Sequence, residues 1–266
     1  MSTKKIAVIG GGNLGTAIAE GLIKSRFSRP EDLIVTRRNT ASLKNLSQKG
    51  VEVTSDNRAA VRSAEVIILA VKPYNYHEIL REISPDFQQG KHLLISVITG
   101  VLLKDLTAHS GVAIPVFRAM PNTAIAIQES MTCISYNKAS AEDINYVTDL
   151  FAKLGEVVVI DEKLMDAATV LGACGTAYAM RYIRANIQGG IEIGFDAATA
   201  SLIAAQTVKG AAELLLQRKT HPEQEIDKVT TPKGCTIAGL NEMEHQGFSS
   251  SLIKGIATSY QKIARD

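Results

Sequence analysis

Short runs of apolar residues alternate with longer amphipathic stretches along the first 160 residues of the chain. Several runs are apolar at successive positions, which is typical of strands buried on both faces of a parallel sheet. The stretch 13–24 has helical periodicity instead, because Leu14, Ile18 and Leu22 recur at four-residue spacing. The pattern predicts strands at 6–9, 33–35, 51–53, 66–71, 93–98, 112–117, 131–135 and 157–160.

Alternation of strands with helices predicts an α/β fold with an N-terminal doubly wound, Rossmann-type sheet. Ser140 and Asp143 form a capping-box pattern, which predicts a helix through Leu154 that stops at Gly155. After Asp161 no strand is predicted, and long alanine-rich stretches such as 197–217 favour helices. We therefore expect a Rossmann-type domain at 1–161 and an all-α C-terminal domain at 162–266.

The predicted helical domain carries more apolar surface than it can bury by itself. Leu202, Ile203 and the run 214–216 point to more than one face of their helix. Such excess predicts subunit association, because exposed apolar faces are covered at subunit interfaces. We expect a homodimer or a larger homo-oligomer formed through this domain.

Composition excludes several classes of partner. Lysine plus arginine number 29 and aspartate plus glutamate number 27, so no net field attracts nucleic acid or an anionic membrane. The apolar runs are strand-sized, whereas a membrane span needs about 20 residues. The apolar run 6–9 is also too short for a signal peptide. Three cysteines without metal-like spacing predict no disulfide and no metal site, and we expect a cytoplasmic protein.

A glycine-rich turn directly follows the first predicted strand. The segment Gly10–Gly15 fits the pattern G-x-G-x-x-G and opens the first predicted helix. In that context the glycines allow a tight turn, a close approach to a pyrophosphate and contact between helix and strand. The alternative is a glycine-rich turn without a ligand. The position between strand and helix favours a dinucleotide site.

The end of the second predicted strand indicates which dinucleotide binds. Enzymes that use NAD commonly place a carboxylate there for the ribose 2′-hydroxyl, whereas this chain has Thr36, Arg37 and Arg38. Guanidinium groups can bind a 2′-phosphate bidentately, so we expect NADPH, with NADH as the alternative cofactor. A solvated basic loop is the alternative interpretation of the arginine pair.

A second anion-type segment lies near the C-terminus. The run Val229–Thr236 leads into a predicted helix, whose first backbone N–H groups attract a carboxylate, and Thr236 adds a hydroxyl for an amine or imine. The alternative is that Thr230 or Thr231 only caps a helix with Pro232 at its first position. Hydroxyacid dehydrogenases of similar architecture carry a lysine on the helix after a Gly-x-x-Gly-like turn. The matching position here is Ala179, which counts against carbonyl reduction by that route.

At this point the sequence resembles the pyrroline-5-carboxylate reductase family over nearly its whole length. The segments that carry the resemblance are Gly10–Gly15, Ala70–Pro73, Arg118–Thr123, Gly175–Tyr178 and Val229–Leu240. The resemblance implies NADPH-dependent reduction of 1-pyrroline-5-carboxylate to L-proline, the final step of proline biosynthesis.

The resemblance also implies a set of site residues. The pyrophosphate would be held by Gly10, Gly12, Asn13, Leu14 and Gly15, and the 2′-phosphate by Thr36, Arg37, Arg38 and Asn57. The ribose and nicotinamide would meet Ala70, Val71, Lys72, Pro73, Met120, Pro121 and Asn122. The imino acid would bind at Gly234, Cys235 and Thr236, with Thr236 orienting the ring nitrogen as the catalytic residue.

Two departures from the family pattern bear on affinity and substrate range. The turn Gly172–Tyr178 differs from the usual Ser-Gly-Ser-Gly-Pro-Ala-Tyr, while Lys233 replaces a glycine and Cys235 replaces Thr or Ala. The alternatives are a reductase of another imine or of a β-hydroxy or keto acid, and an NADPH-sensing regulator without turnover.

Overall fold

The computed structural model describes residues 4–263. It divides into two compact units, one formed by the chain up to Cys174 together with Ile263 and a second that runs from Gly175 to Lys262. The segment between the predicted boundary and this division holds a 3₁₀ turn, a short helix and a π-helix over Thr169–Cys174. The predicted domain boundary at residue 161 stays a prediction.

The first unit contains an eight-stranded sheet, whose strands are β1 Ile6–Ile9, β2 Leu33–Thr36, β3 Glu52–Thr54, β4 Val66–Leu69, β5 Leu93–Ser96, β6 Val116–Met120, β7 Ser130–Asn137 and β8 Gly155–Val159. Their order in the sheet is β3-β2-β1-β4-β5-β6-β7-β8. All neighbouring strands are parallel except β6 and β7, which are antiparallel. The predicted α/β, Rossmann-type fold is confirmed.

Strand bounds differ from the predictions mainly where the chain leaves the sheet. The predicted strand 112–117 is displaced to Val116–Met120, because the N–H of Ile114 bonds back to the carbonyl of Val112 and Pro115 has no N–H. The predicted strands at 66–71 and 93–98 end at Leu69 and Ser96, where loops begin at the carboxyl edge.

The antiparallel direction of β7 was not predicted from the apolar pattern. A 3₁₀ segment over Thr123–Ile127, ending in a left-handed Gln128, reverses the chain between β6 and β7. Strand periodicity reports burial and carries no information on direction, so the reversal is visible only in the tertiary structure.

Seven α-helices lie in the first unit, within the residues that the structure describes, and α1 packs its buried face on one side of the sheet. They are α1 Asn13–Lys24, α2 Lys44–Gln48, α3 Asn57–Ser63, α4 Tyr76–Ile83, α5 Leu103–Ser110, α6 Ala141–Ala152 and α7 Met165–Ala168. The Ser140 capping box of α6 is confirmed. Gly155, predicted to stop that helix, instead begins β8 at a φ of 141°, where a Cβ would collide with the backbone of Ser130.

The second unit is helical, as predicted. Its helices are α8 Gly175–Glu192, α9 Ala197–Arg218, α10 Pro222–Lys228, α11 Cys235–His245 and α12 Phe248–Ile263. Within the described residues, only Ala200 and Ala204 of these helices are buried, while Leu202 is 71% and Ile253 65% exposed. The predicted excess of apolar surface is therefore present.

Within residues 4–263, no helix combines the length and the apolar character needed to cross a bilayer.

Candidate functional site

The glycine-rich turn joins β1 to α1 and presents an open helix N-terminus. Gly10 has a φ of 110°, and a Cβ there would lie 2.6 Å from the carbonyl oxygen of Ala70. A Cβ at Gly15 would collide with the carbonyl oxygen of Gly10. Gly12 differs, because a Cβ at that position would have no atom within 4 Å, and because Gly12 caps α1 without a side-chain bond. Gly10 and Gly15 therefore serve the turn itself, and Gly12 leaves space for a ligand.

The strand β2 brings the predicted phosphate-binding residues to this turn. The backbone N–H of Gly11 donates to the carbonyl of Thr36 at 2.7 Å, and Arg37 Nη1 donates to the carbonyl of Gly11 at 2.8 Å. Arg37 and Arg38 are both exposed. Two exposed arginines thus follow β2, and one of them is bonded to the glycine turn.

Thr36 is held inside the protein beneath the loop that carries the two arginines. Its side chain is buried, its Oγ1 accepts from the N–H of Gly10 at 3.3 Å, and its hydroxyl donates to Oδ1 of Asn57 at 2.6 Å. Asn57 in turn donates from Nδ2 to Glu82 at 3.1 Å. Thr36 and Asn57 therefore support the turn from beneath. Glu82 was not predicted, because it lies on α4 and no sequence motif connects it to the turn.

The segment after β4 lies beside the same turn. The N–H of Ala70 donates to the carbonyl of Ile9 at 2.9 Å, and the close approach of Ala70 to Gly10 leaves room only for glycine. Lys72 is exposed, and Pro73 begins a 3₁₀ turn. The strand order reverses between β1 and β4, and ligands of such sheets bind in the crevice at that reversal.

The end of β6 places Met120, Pro121 and Asn122 at the same edge of the sheet. Met120 and Pro121 are buried, and Asn122 is half-buried. Asn122 donates from Nδ2 to the carbonyl of Gly172 at 3.3 Å, and its Oδ1 accepts from the N–H of Ala124. Its own N–H donates to Oγ of Ser130. Three separate polar contacts thus hold Asn122, in the segment that the resemblance predicts to line the ribose and nicotinamide.

A buried ion pair that sequence reasoning missed lies beneath this segment. Arg118 on β6 is 2% exposed, and its Nη1 lies 2.9 Å from Oε1 of Glu162. A second carboxylate, Asp166, is 3.8 Å from Nη2. An arginine within the apolar run 116–120 is the signal that could have revealed it, because charged residues are seldom fully buried unless they are paired.

A cavity of about 640 Å³ opens beside Glu162 and contains none of the predicted site residues. It is lined by Leu103, Lys104, Ser135, Tyr136, Asn137, Val159, Ile160, Asp161 and Glu162. We find no group of three or more metal-ligating side chains in the part of the chain that the structure describes.

The predicted substrate loop lies in the second unit and has the geometry of a tight turn. The N–H of Gly234 donates to the carbonyl of Thr231 at 2.9 Å, and Lys233 has a φ of 57°. In a turn with proline at its second position and a positive φ at its third, glycine is favoured at the third position, which Lys233 occupies here.

Helix α11 begins at Cys235 with Gly234 as its N-cap, and no side chain caps it. The alternative in which Thr230 or Thr231 caps a helix that starts at Pro232 is therefore wrong. Cys235 is exposed and Thr236 is half-buried. The loop thus presents a helix N-terminus and a hydroxyl, the chemistry expected for a carboxylate beside a nitrogen.

Comparison with known proteins places these features in one family. Residues 162–265 match the family model described as pyrroline-5-carboxylate reductase dimerisation, and residues 5–100 match that of NADP oxidoreductase, coenzyme F420-dependent. Pyrroline-5-carboxylate reductase 2 of Dictyostelium discoideum is 40% identical over 99% of this chain and 93% of its own length. Pyrroline-5-carboxylate reductase 1 of that organism is 45% identical over 97% of this chain, which spans about half (49%) of that relative.

Solved structures agree over both units. The pyrroline-5-carboxylate reductase of Coxiella burnetii has a TM-score of 0.91 at 28% identity, covering 99% of this chain and 98% of that one. The Plasmodium falciparum pyrroline carboxylate reductase with NADP bound has a TM-score of 0.87 at 27% identity, with the same coverage. Sequence and structure together establish that this chain belongs to the pyrroline-5-carboxylate reductase family.

Proposed function

We propose that this chain catalyses the NADPH-dependent reduction of 1-pyrroline-5-carboxylate to L-proline, the final step of proline biosynthesis. The observation that carries the proposal is an open dinucleotide turn flanked by Arg37 and Arg38, in a chain whose full-length relatives are named for this reaction. The separate loop at Gly234–Thr236 supports a carboxylate-bearing substrate.

The geometry of the glycine turn and the residues around it support NADPH as the cofactor. The open space at Gly12 admits a pyrophosphate to the N–H groups of Asn13, Leu14 and Gly15 at the start of α1. Arg37 and Arg38 would bind the 2′-phosphate, while Thr36 and Asn57 hold the turn in shape. Ala70–Pro73 and Met120–Asn122 would line the ribose and the nicotinamide. The same turn would also accept NADH, with the arginines left without a phosphate to bind.

The substrate would bind by its carboxylate at the start of α11. The N–H groups at the helix start, next to Gly234 and Cys235, attract the anion, and the positive charge of Lys233 lies on the same turn. The hydroxyl of Thr236 would bond the ring nitrogen and fix which face of the C=N bond is presented. Thr236 is therefore the residue proposed to touch the reacting group.

When bound, NADPH would supply the hydride that reduces the imine carbon. A protonated imine is already electrophilic, so the proposal assigns the chain a role in orientation and no strong general acid. Holding the two reacting atoms about 3–3.5 Å apart contributes much of the rate in such reactions. Ala179, where hydroxyacid dehydrogenases carry a lysine, agrees with this assignment.

The match to a dimerisation family and the sparse burial of the second unit indicate a homo-oligomer. We infer a homodimer or larger assembly formed through the helical unit, which works in the cytoplasm with a small imino acid as its substrate. Nucleic acid and membranes are not proposed as partners.

The test follows loss of absorbance at 340 nm with racemic pyrroline-5-carboxylate and either NADPH or NADH. The proposal predicts rapid oxidation, faster with NADPH. Thr236→Ala should lower turnover while NADPH still binds. The matched control is Thr230→Ala, whose hydroxyl donates to the carbonyl of Ile226 in the preceding helix and which should retain turnover. Protein that binds NADPH but oxidises none would instead favour another imine or carbonyl substrate, or a sensor.

A further inference from the structure

The guanidinium group of Arg118 is buried, and only part of it is hydrogen-bonded. Its Nη1 bonds Glu162, but its buried Nε and Nη2 have no hydrogen-bond partner within the described chain. An apolar residue of similar volume often stabilises a core at least as well as a buried ion pair. An arginine held in this way therefore calls for a reason other than stability.

Glu162 connects three elements through one oxygen atom. Its Oε1 accepts from Nη1 of Arg118 at 2.9 Å and from the N–H of Leu103 at 2.6 Å. Leu103 is the first residue of α5, and that helix has no side-chain cap at its N-cap residue Leu102. Glu162 thus caps α5, although it lies 59 residues further along the chain than Leu103, and it also binds the side chain of Arg118 on β6.

The same stretch of chain also holds the far end of the Met120–Asn122 segment. Four residues after Glu162, Asp166 faces Arg118, and the following π-helix presents the carbonyl of Gly172 to Asn122. The segment 162–172 therefore contacts Arg118, which lies two residues before Met120, and also contacts Asn122 beyond the end of β6. Short π-helices are frequent at functional sites.

We propose that Arg118 and Glu162 are positioning residues that fix the Met120–Asn122 segment against the nicotinamide. This inference rests on the proposed function, because it takes that segment as the part of the chain that meets the reacting ring. Neither side chain touches substrate or cofactor. Their effect is to set the height and angle at which β6 leaves the sheet.

The central test compares three variants. Glu162→Ala removes the acceptor, Glu162→Gln keeps an oxygen that can accept from both donors, and Asp86→Asn is the matched control. Asp86 is 9% exposed and pairs with Arg58 at 2.6 Å and Arg62 at 3.4 Å, in the same unit but remote in sequence and outside the proposed site. Turnover, NADPH dissociation constants and amide hydrogen exchange of peptides covering 119–122 are measured on folded protein.

A displaced reacting group loses rate more than binding, so kcat should fall at least about tenfold in Glu162→Ala while the dissociation constant for NADPH changes less than about threefold. Exchange over 119–122 should rise in Glu162→Ala and stay normal in Asp86→Asn. Glu162→Gln should recover most of the lost turnover. Wild-type turnover and exchange in folded Glu162→Ala would overturn the proposal, as would the same rise in exchange in Asp86→Asn.

If Glu162→Ala does not fold, Arg118→Lys decides. Lysine keeps the charge but lacks the planar fork that reaches Glu162 and Asp166 together, so kcat should fall without weaker NADPH binding. Normal kcat in that variant would overturn the proposal. Wild-type protein that oxidises no NADPH would refute the proposed function, whereas the exchange measurement needs no turnover and still decides the positioning role.

Discussion

Replacing Gly12 with alanine should separate cofactor binding from folding. Gly12 has a φ of −81° and a ψ of −167°, an extended conformation open to any residue, and its Cβ would meet no atom within 4 Å. Alanine is a poorer N-cap than glycine by about 0.5–1 kcal/mol. Its smaller unfolded-state entropy offsets this by about 0.4–1 kcal/mol. The free energy of unfolding should therefore change by less than about 1 kcal/mol.

The effect on NADPH is expected to be much larger. The methyl group would occupy the space through which a pyrophosphate reaches the N–H groups of α1. Loss of two charge-assisted hydrogen bonds, at about 1.5–3 kcal/mol each, corresponds to at least about a hundredfold weaker binding.

Gly15→Ala provides the contrast. Its Cβ would collide with the carbonyl oxygen of Gly10 and lie 3.1 Å from Cγ1 of Val8, so the turn itself must move. Overpacking of this kind costs about 1–3 kcal/mol. Gly15→Ala should therefore lower both stability and affinity, whereas Gly12→Ala lowers affinity alone.

The assay combines thermal unfolding without ligand and titration of NADPH followed by its fluorescence. A Gly12→Ala protein that binds NADPH with the wild-type dissociation constant would refute the reasoning. It would mean that the open N-terminus of α1 does not receive the pyrophosphate.

Four further outcomes are expected. Arg38→Ala should weaken NADPH binding about tenfold or more, since it removes a charge-assisted contact, and leave NADH binding unchanged in parallel titrations. Lys233→Gly should raise the free energy of unfolding by about 1 kcal/mol, because a φ of 57° strains every residue except glycine. Lys233→Ala should show no such gain in thermal unfolding. Burial lowers the pKa of His92, so the unfolded chain binds a proton more readily than the folded chain does. The free energy of unfolding should therefore fall as the pH drops below about 6.5, and it should fall less in His92→Gln. Denaturant titrations at several pH values measure both. Ile253→Glu should shift the protein towards monomer in sedimentation velocity if the exposed apolar face of α12 forms the interface; an unchanged assembly would contradict that placement.

Local features were predicted well because neighbouring residues carry them. The strand β1, the glycine turn and the helix Asn13–Lys24 follow each other without a break, and their periods and glycine spacing suffice to predict them. The Ser140 capping box is local in the same sense. The loop before α11 was recognised as a site candidate, although only the structure showed that Gly234, and not a threonine, caps the helix.

The amino-acid sequence by itself determined the fold class, the helical second unit with its apolar excess, and the family, since these depend on periodicity and on contiguous motifs. Only the tertiary structure decided the direction of β7, the buried position of Thr36 against Asn57, and the Arg118–Glu162 pair. The two contacts join residues 21 and 44 positions apart. The physical reason is that side chains distant along the chain meet only when the sheet has brought their elements together, and no local pattern encodes which partners will meet.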